Sequence, residues 1–364
     1  MKVGIIGLPQ TGKTSLYNAL TRSQAELFSA GEVHIATIPV PDARFDHAVK
    51  FCTPKKITPA AIEFTEGGGK IERGERQGQG DKFGADFFVS VRNVDALVLV
   101  IRAFEGGIPQ PEDGVNPLRE AEKILEELLL ADLTVIESRL EKLEKARLQK
   151  RQTNAEAAEH QVLDKIKAHL EDFKPMRSLD LTEDEKRTVK SYAFVSGKPL
   201  IMAANVGEDD AGETMPALVA PLAEYAKAQD APLITLCAKI EMEVSQMEPE
   251  DEREFLAAMG IAEAARDRMI RAAYAALGVM SFFTVGEDEV RAWTIAKGTA
   301  AVNAAGTIHS DLARGFIRAE VIGWDDFQSV NACWDEAKSA GLMRLEGKDY
   351  LVKDGDIMHV RFKV

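Results

Sequence analysis

The residues best suited to chemistry stand near the N-terminus: Gly7-Leu8-Pro9-Gln10-Thr11-Gly12-Lys13-Thr14. The spacing is G-x-x-x-x-G-K-[ST]. It falls between an apolar run at 2–8 and a helix-compatible stretch from Lys13 to Leu20, and this context makes the motif specific. Glycines let the backbone curl so that successive N–H groups point inward at phosphate oxygens. The helix that follows adds the positive end of its dipole. The cradle is expected to run over Pro9, Gln10, Thr11, Gly12, Lys13, Thr14 and Ser15. Lys13 would reach the β- and γ-phosphates, and the Thr14 hydroxyl would ligate Mg²⁺. The implied ligand is a purine nucleoside triphosphate, ATP or GTP.

A base-reading segment should follow a later strand. Asn205-Val206-Gly207-Glu208 ends the apolar run 199–204. Where guanine is read, the pattern is N-K-x-D: the Asp grips N1–H and N2–H₂, and the Lys packs across the base. Here Val206 replaces the Lys and the longer Glu208 replaces the Asp. The extra methylene displaces the carboxylate, which argues against a two-donor clamp on guanine.

These motifs need strands to carry them. Residues 94–102 (VDALVLVIR) read as a central strand, and 199–205 and 232–238 repeat the type. Residues 59–66 read as another strand. Strands separated by helical stretches imply a doubly wound, mostly parallel α/β sheet. Residues 118–192 differ. Leu125, Leu128, Leu129, Leu133, Ile136, Leu140 and Leu143 recur at three- and four-residue steps. Polar residues from Gln149 to Glu156 interrupt the series, which resumes with Val162, Ile166, Leu170 and Phe173. The pattern predicts an antiparallel helical hairpin, a coiled coil inserted into the nucleotide domain. From about 279 the chain reads as a small α+β domain. Short strands are expected at Val290–Ile295, Gly315–Ile322, Asp349–Val352 and Met358–Val364, with a helical stretch near Trp324–Ala340.

Composition bounds the partners. A chain of 364 residues is long for a single core. No apolar run approaches the roughly 18 residues that would span a membrane, and Met1-Lys2 leads straight into a strand rather than a signal peptide. The three cysteines are far apart and show neither metal nor disulfide spacing, as expected of reduced, cytoplasmic thiols. The formal net charge of −14 repels nucleic acid on average, which leaves only a local basic patch able to bind RNA. Such a patch lies at the hairpin tip: Lys142, Lys145, Arg147, Lys150 and Arg151. It is either a solvated helix face or a contact for ribosomal RNA.

The chain resembles the YchF/Obg-like ATPase family, a branch of the Obg group of translation-factor GTPases. The resemblance runs from residue 1 to residue 364. It is strongest in Arg291-Ala292-Trp293-Thr294-Ile295, Ile308-His309-Ser310-Asp311, Gly315-Phe316-Ile317-Arg318-Ala319, and Gly347-Lys348-Asp349-Tyr350 through Asp354-Gly355-Asp356. It implies a P-loop nucleotide-binding domain at 1–117 and 193–278, the hairpin at 118–192, and a β-grasp TGS domain at 279–364. It also implies N-x-x-E in place of N-K-x-D, a preference for ATP over GTP, and association with ribosomes through the hairpin tip and TGS domain. From the resemblance, Asn205 and the backbone beside Val206 would read the base, with Glu208 near it. Cys237 and Ala238 would close over its edge, Cys237 as a supporting thiol rather than a nucleophile.

Several positions depart from the family pattern. Where the family has D-x-A-G and a hydrophobic residue, this chain has Glu66-Gly67-Gly68-Gly69-Lys70. Glu66 stands to reach Mg²⁺, directly or through water. Lys70 either sits at the γ-phosphate as a catalytic point charge or points into solvent. Thr37, the expected switch threonine and a second Mg²⁺ ligand, lies in a shortened first switch. The stretch 72–82, with Gly74, Gly78 and Gly80, is either a mobile second switch or a solvated loop. The loop Gly106–Glu112 has Gln110 and Pro111 but lacks the family's His. Nucleotide binding should therefore survive while hydrolysis is weak. The expected protein is a slow, Mg²⁺-dependent, monomeric NTPase that acts as a translation- or stress-linked switch, or a nucleotide-gated adaptor with negligible turnover.

Overall fold

The computed structural model describes residues 1–23, 34–66, 71–72, 82–106, 114–212, 214–331 and 334–363. In chain order, β1 (Lys2–Ile6) leads to α1 (Lys13–Thr21), β2 (His34–Pro39), α2 (Ala43–Cys52), β3 (Lys56–Thr58), β4 (Ala61–Glu66), β5 (Ile71–Glu72), β6 (Lys82–Phe83), α3 (Ala85–Arg92) and β7 (Ala96–Ala103). Then come α4 (Pro117–Leu148), α5 (Asn154–Glu171), α6 (Glu183–Val189), β8 (Leu200–Val206), α7 (Ala220–Ala228), β9 (Leu233–Leu236), α8 (Ala238–Val244), α9 (Pro249–Ala258) and α10 (Ala265–Ala276). The last part holds β10 (Val279–Val285), β11 (Glu289–Ala296), α11 (Ala301–Ile308), α12 (Ser310–Arg314), β12 (Phe316–Ile322), α13 (Trp324–Ser329), α14 (Trp334–Ser339), β13 (Arg344–Glu346) and β14 (Ile357–Phe362).

The chain forms two compact units: Met1–Thr37 with Glu63–Met269, and Ile38–Ile62 with Ile270–Val364. The first is built on a sheet of order β2-β4-β1-β7-β8-β9, in which β4, β1, β7, β8 and β9 run parallel. Every residue of β7 and β8 is buried. Helices cover both faces of such a sheet, so its central strands read as unbroken apolar runs. All the parallel strands point their C-terminal ends the same way, and the P-loop leaves β1 at that edge. This is where an open α/β sheet binds its ligand.

The hairpin is α4 and α5. Asn116 caps α4 by accepting a bond from the Arg119 N–H. Thr153 and Glu156 form a reciprocal capping box at the start of α5. Leu129, Ile136, Leu143, Val162, Leu163, Ile166 and Leu170 fill the seam between the helices. Phe173 does not join it. α5 ends at Glu171, Phe173 takes φ 58°, and its side chain is 72% exposed.

The second unit carries a sheet of order β13-β12-β14-β10-β11-β3. The edge strand β3 comes from 38–62, a segment inside the expected nucleotide domain, and pairs parallel with β11 (Glu289↔Lys56). Arg44 fastens the same segment: it bonds Asp42 at 2.8 Å and Asp354 at 3.0 Å. Two sequence expectations change here. Asp349–Val352 is no strand, since only Leu351 makes an isolated bridge, to Ala300. The helical stretch near Trp324–Ala340 divides into α13 and α14. Among the described residues, no helix is long and apolar enough to cross a membrane.

Candidate functional site

The loop between β1 and α1 is shaped by two glycines. Gly7 has φ 150°, and a Cβ there would sit 2.4 Å from the Val100 carbonyl of β7. Gly12 has φ 95°, and a Cβ there would meet Asn205 Nδ2 at 2.2 Å. Neither position tolerates a side chain. α1 has no side-chain cap and no acidic residue in its first turn. α1 itself therefore supplies no anion to its dipole and its first N–H groups, as suits a phosphate site. Pro9 and Gln10 are exposed, Ser15 is half-buried, and Thr11 is buried with its hydroxyl donating to the Leu8 carbonyl at 3.0 Å.

The Lys13 ammonium donates to the same Leu8 carbonyl at 2.6 Å. Its pKa is lowered to about 8, chiefly by burial, against the opposing charges of Glu66 and Glu120. A buried cation held by a neutral acceptor gains strongly from an incoming anion.

Thr14 and Glu66 converge. The Thr14 hydroxyl donates to Glu66 Oε1 at 2.6 Å. Glu66 is 7% exposed, and its Oε2 is buried without a partner. A hydroxyl beside a buried carboxylate with one oxygen to spare fits a hard divalent cation. Among the described residues, no group of three His, Cys, Asp or Glu side chains converges for a metal. Such an ion would complete its shell from phosphate oxygens and water, as Mg²⁺ commonly does. Thr37 takes no part in this pair: it stands exposed in β2. Lys70 lies outside the described residues, as do Gly67–Gly69, Gly74, Gly78, Gly80, Gln110 and Pro111.

Asn205 is the hub of the far side. Its Nδ2 donates to the Thr11 carbonyl at 2.9 Å, and its Oδ1 accepts from the Ala238 N–H at 2.9 Å. One buried amide thus ties the P-loop, the end of β8 and the start of α8 together. Both ends of that amide are spent on backbone. Val206 points into the sheet core and Ala238 is wholly buried. Glu208 is paired with Lys239 at 2.5 Å, both more than half exposed. Cys237 precedes α8, and burial pushes its thiol up, away from thiolate reactivity.

Two groups at the site escaped the sequence reading. Glu120 reads as an ordinary acid in a helix first turn, and Arg102 as the polar end of a strand. Arg102 is in fact buried in β7, its Nε donating to the Phe104 carbonyl at 3.2 Å. The signal was there in a charged residue closing an otherwise apolar strand.

The parallel sheet, the Gly-bounded loop and the Thr14–Glu66 pair define a P-loop NTPase. A family model described as 50S ribosome-binding GTPase matches residues 2–205. Another, YchF-GTPase_C, described as a protein of unknown function, matches residues 279–363. The chain is 40% identical to the ribosome-binding ATPase YchF of Bacillus subtilis over 370 residues, covering 100% of both. It is 37% identical to that of Escherichia coli O157:H7, covering 100% of this chain and 99% of the relative. The structure of the Schizosaccharomyces pombe YchF GTPase superposes with a TM-score of 0.85 at 28% identity, over 99% of this chain and 97% of that one. The chain belongs to the YchF family.

Proposed function

We propose that this protein is a Mg²⁺-dependent NTPase that prefers ATP to GTP, turns it over slowly, and uses the nucleotide to govern association with the ribosome. The Thr14–Glu66 contact beside Lys13 carries the reading, because it gathers a phosphate cation and a metal site at the mouth of one Gly-bounded loop. In this reading the backbone from Gln10 to Ser15 cradles the phosphates, and Lys13 leaves Leu8 for the β- and γ-oxygens. Thr14 and Glu66 would hold Mg²⁺, which neutralises developing charge on the phosphates. Asn205 holds the cradle against the 237–238 loop that borders the base. Relatives named ribosome-binding ATPases support the partner. We assign the ribosomal RNA contact to the hairpin tip of 118–192 and to the β-grasp TGS unit that begins at 279, in a monomeric cytoplasmic protein.

The Glu208–Lys239 pair supports the choice of ATP. A carboxylate engaged by an ammonium is not aimed at guanine's two donors, so guanine gains nothing and leaves polar groups unpaired. Calorimetric titration should show ATP binding at least about tenfold tighter than GTP, a difference of about 1.4 kcal/mol. Equal affinities, or tighter GTP, would overturn the preference. Glu208→Asp should move specificity toward GTP, with Val206 left in place because a lysine there would enter the sheet core.

Thr37, exposed in β2, favours slow turnover, since phosphoryl transfer depends almost wholly on positioning and charge. Single-turnover phosphate release at saturating Mg²⁺–ATP is expected to be slow in the wild type and in Lys70→Ala alike. Fast wild-type turnover that vanishes in Lys70→Ala would make Lys70 catalytic and refute the weak-hydrolase reading.

A further inference from the structure

A cavity of about 230 Å³ lies where α4 meets α7 and the turn that follows α5, and it shares no residue with the P-loop site. Leu125, Leu128 and Leu129 of α4 give it an apolar wall. Phe173 adds a ring to the lining, at φ 58° and 72% exposed. A bulky side chain seldom takes that backbone conformation. Here it keeps the ring out of the hairpin seam and at the cavity instead.

Charges of both signs line the same space, and none is spent on another. Arg177 donates from Nε to the Gln229 carbonyl at 3.3 Å, from Nη2 to Gln229 Oε1 at 3.0 Å, and from Nη1 to the Ser196 carbonyl at 3.5 Å. All three acceptors are neutral. They hold the guanidinium in place and leave one N–H on each terminal nitrogen unspent. Glu122 and Glu126, one turn apart on α4, line the cavity from exposed positions. Among the described residues neither is ion-paired, with Arg177 or with any other cation. Tyr225 adjoins both signs: burial and Glu122 push its phenol up, Arg177 opposes them, and Glu126 adds to the rise.

We propose that this cavity binds a free α-amino acid with an apolar side chain. The carboxylate takes the two unspent N–H groups of Arg177, as planar carboxylates do. The ammonium meets Glu122 and Glu126, and the side chain lies on the leucines and Phe173. Charge complementarity selects the ligand. A simple anion is repelled by the two glutamates and a simple cation by Arg177, whereas a zwitterion satisfies both. The C-terminal residue of a peptide offers the same carboxylate but no ammonium. The volume lies below the roughly 300 Å³ at which drug-sized sites begin, which suits a ligand this small.

The test is calorimetric titration of the full chain with L-leucine, L-methionine and L-phenylalanine, then with the N-acetyl and amide derivatives of whichever binds tightest. Each derivative should bind at least about tenfold more weakly, because each lacks one of the two charged contacts. Arg177→Met should weaken the free amino acid by a similar factor. The double variant Glu122→Gln, Glu126→Gln should weaken it too, yet leave the N-acetyl derivative bound as in wild type. Both glutamates are exposed, so this variant and the derivatives decide the matter even if Arg177→Met fails to fold. No binding by any of the three at about 10 mM, beyond the millimolar end of the affinity scale, would overturn the inference. So would an N-acetyl derivative that binds as tightly as the free amino acid, which would make the cavity a site for peptide C-termini. Unchanged affinity in a folded Arg177→Met, or in the double variant, would also overturn it.

Discussion

Replacement of Lys13 with alanine is expected to weaken Mg²⁺–ATP binding about a hundredfold, or roughly 3 kcal/mol, the upper range for a hydrogen bond to a charged group. The size follows from where the ammonium sits. It is bonded to a single neutral acceptor, the Leu8 carbonyl, in a setting where burial already penalises its charge. A triphosphate supplies the anion that the loop lacks. Among the described residues, α1 brings no acid of its own to its N-terminus, so nothing else in its first turn substitutes for the lost attraction. The fold should be little affected, since the bond lost is within the loop itself. Calorimetry against wild type, with circular dichroism to confirm folding, checks this. Affinity within a factor of about two of wild type, under 0.5 kcal/mol, would remove Lys13 from the phosphate site. Lys13→Arg is not expected to rescue binding, because a planar guanidinium does not replace a compact point charge in a cradle this close.

The P-loop was legible because its parts are contiguous. Gly7, Gly12, Lys13 and Thr14 fall within eight consecutive positions, and the backbone there sets their geometry. The hairpin was legible for a similar reason, since a helical period repeated over many turns outweighs local exceptions such as Phe173. What escaped depends on pairs far apart in sequence. Asn205 and Thr11 are 194 positions apart, and the sequence gives no sign that the amide serves the loop rather than a base. The Val206 substitution read as loss of a lysine from the base pocket, yet at this position the side chain belongs to the sheet core. β3 is three residues long, too short for a period, and its partner β11 lies more than two hundred positions away. Glu120 was hidden differently. A first-turn acid has a sufficient local explanation, which masks the bond its carboxylate accepts from the Arg102 N–H of β7.

Asp132 shows the same blindness in the hairpin helix, and it yields the second large effect. In sequence it is one acid among the charged residues between the leucines of α4. In the structure it is completely buried and accepts three bonds, from the Val195 N–H at 3.0 Å, the Ser196 N–H at 2.8 Å and the Ser196 hydroxyl at 2.7 Å. Burial pushes its carboxyl up, while those donors pull it back toward the anion. It fixes the middle of α4 to the turn that leads into β8, and so ties the hairpin helix to the sheet. Asp132→Ala strips an acceptor from two backbone N–H groups and a hydroxyl in a dry site. Each orphaned donor costs about 1–3 kcal/mol, so a total near 3 kcal/mol or more is expected. Asp132→Asn should fall between alanine and wild type. Its oxygen still serves one backbone N–H, and Ser196 can turn its hydroxyl to accept from the new amide, which leaves one N–H unpaired. The order is checked by urea unfolding followed through far-ultraviolet circular dichroism. If Asp132→Ala matched wild type, or if Asn were as damaging as Ala, the three-donor clamp would not be what anchors the hairpin.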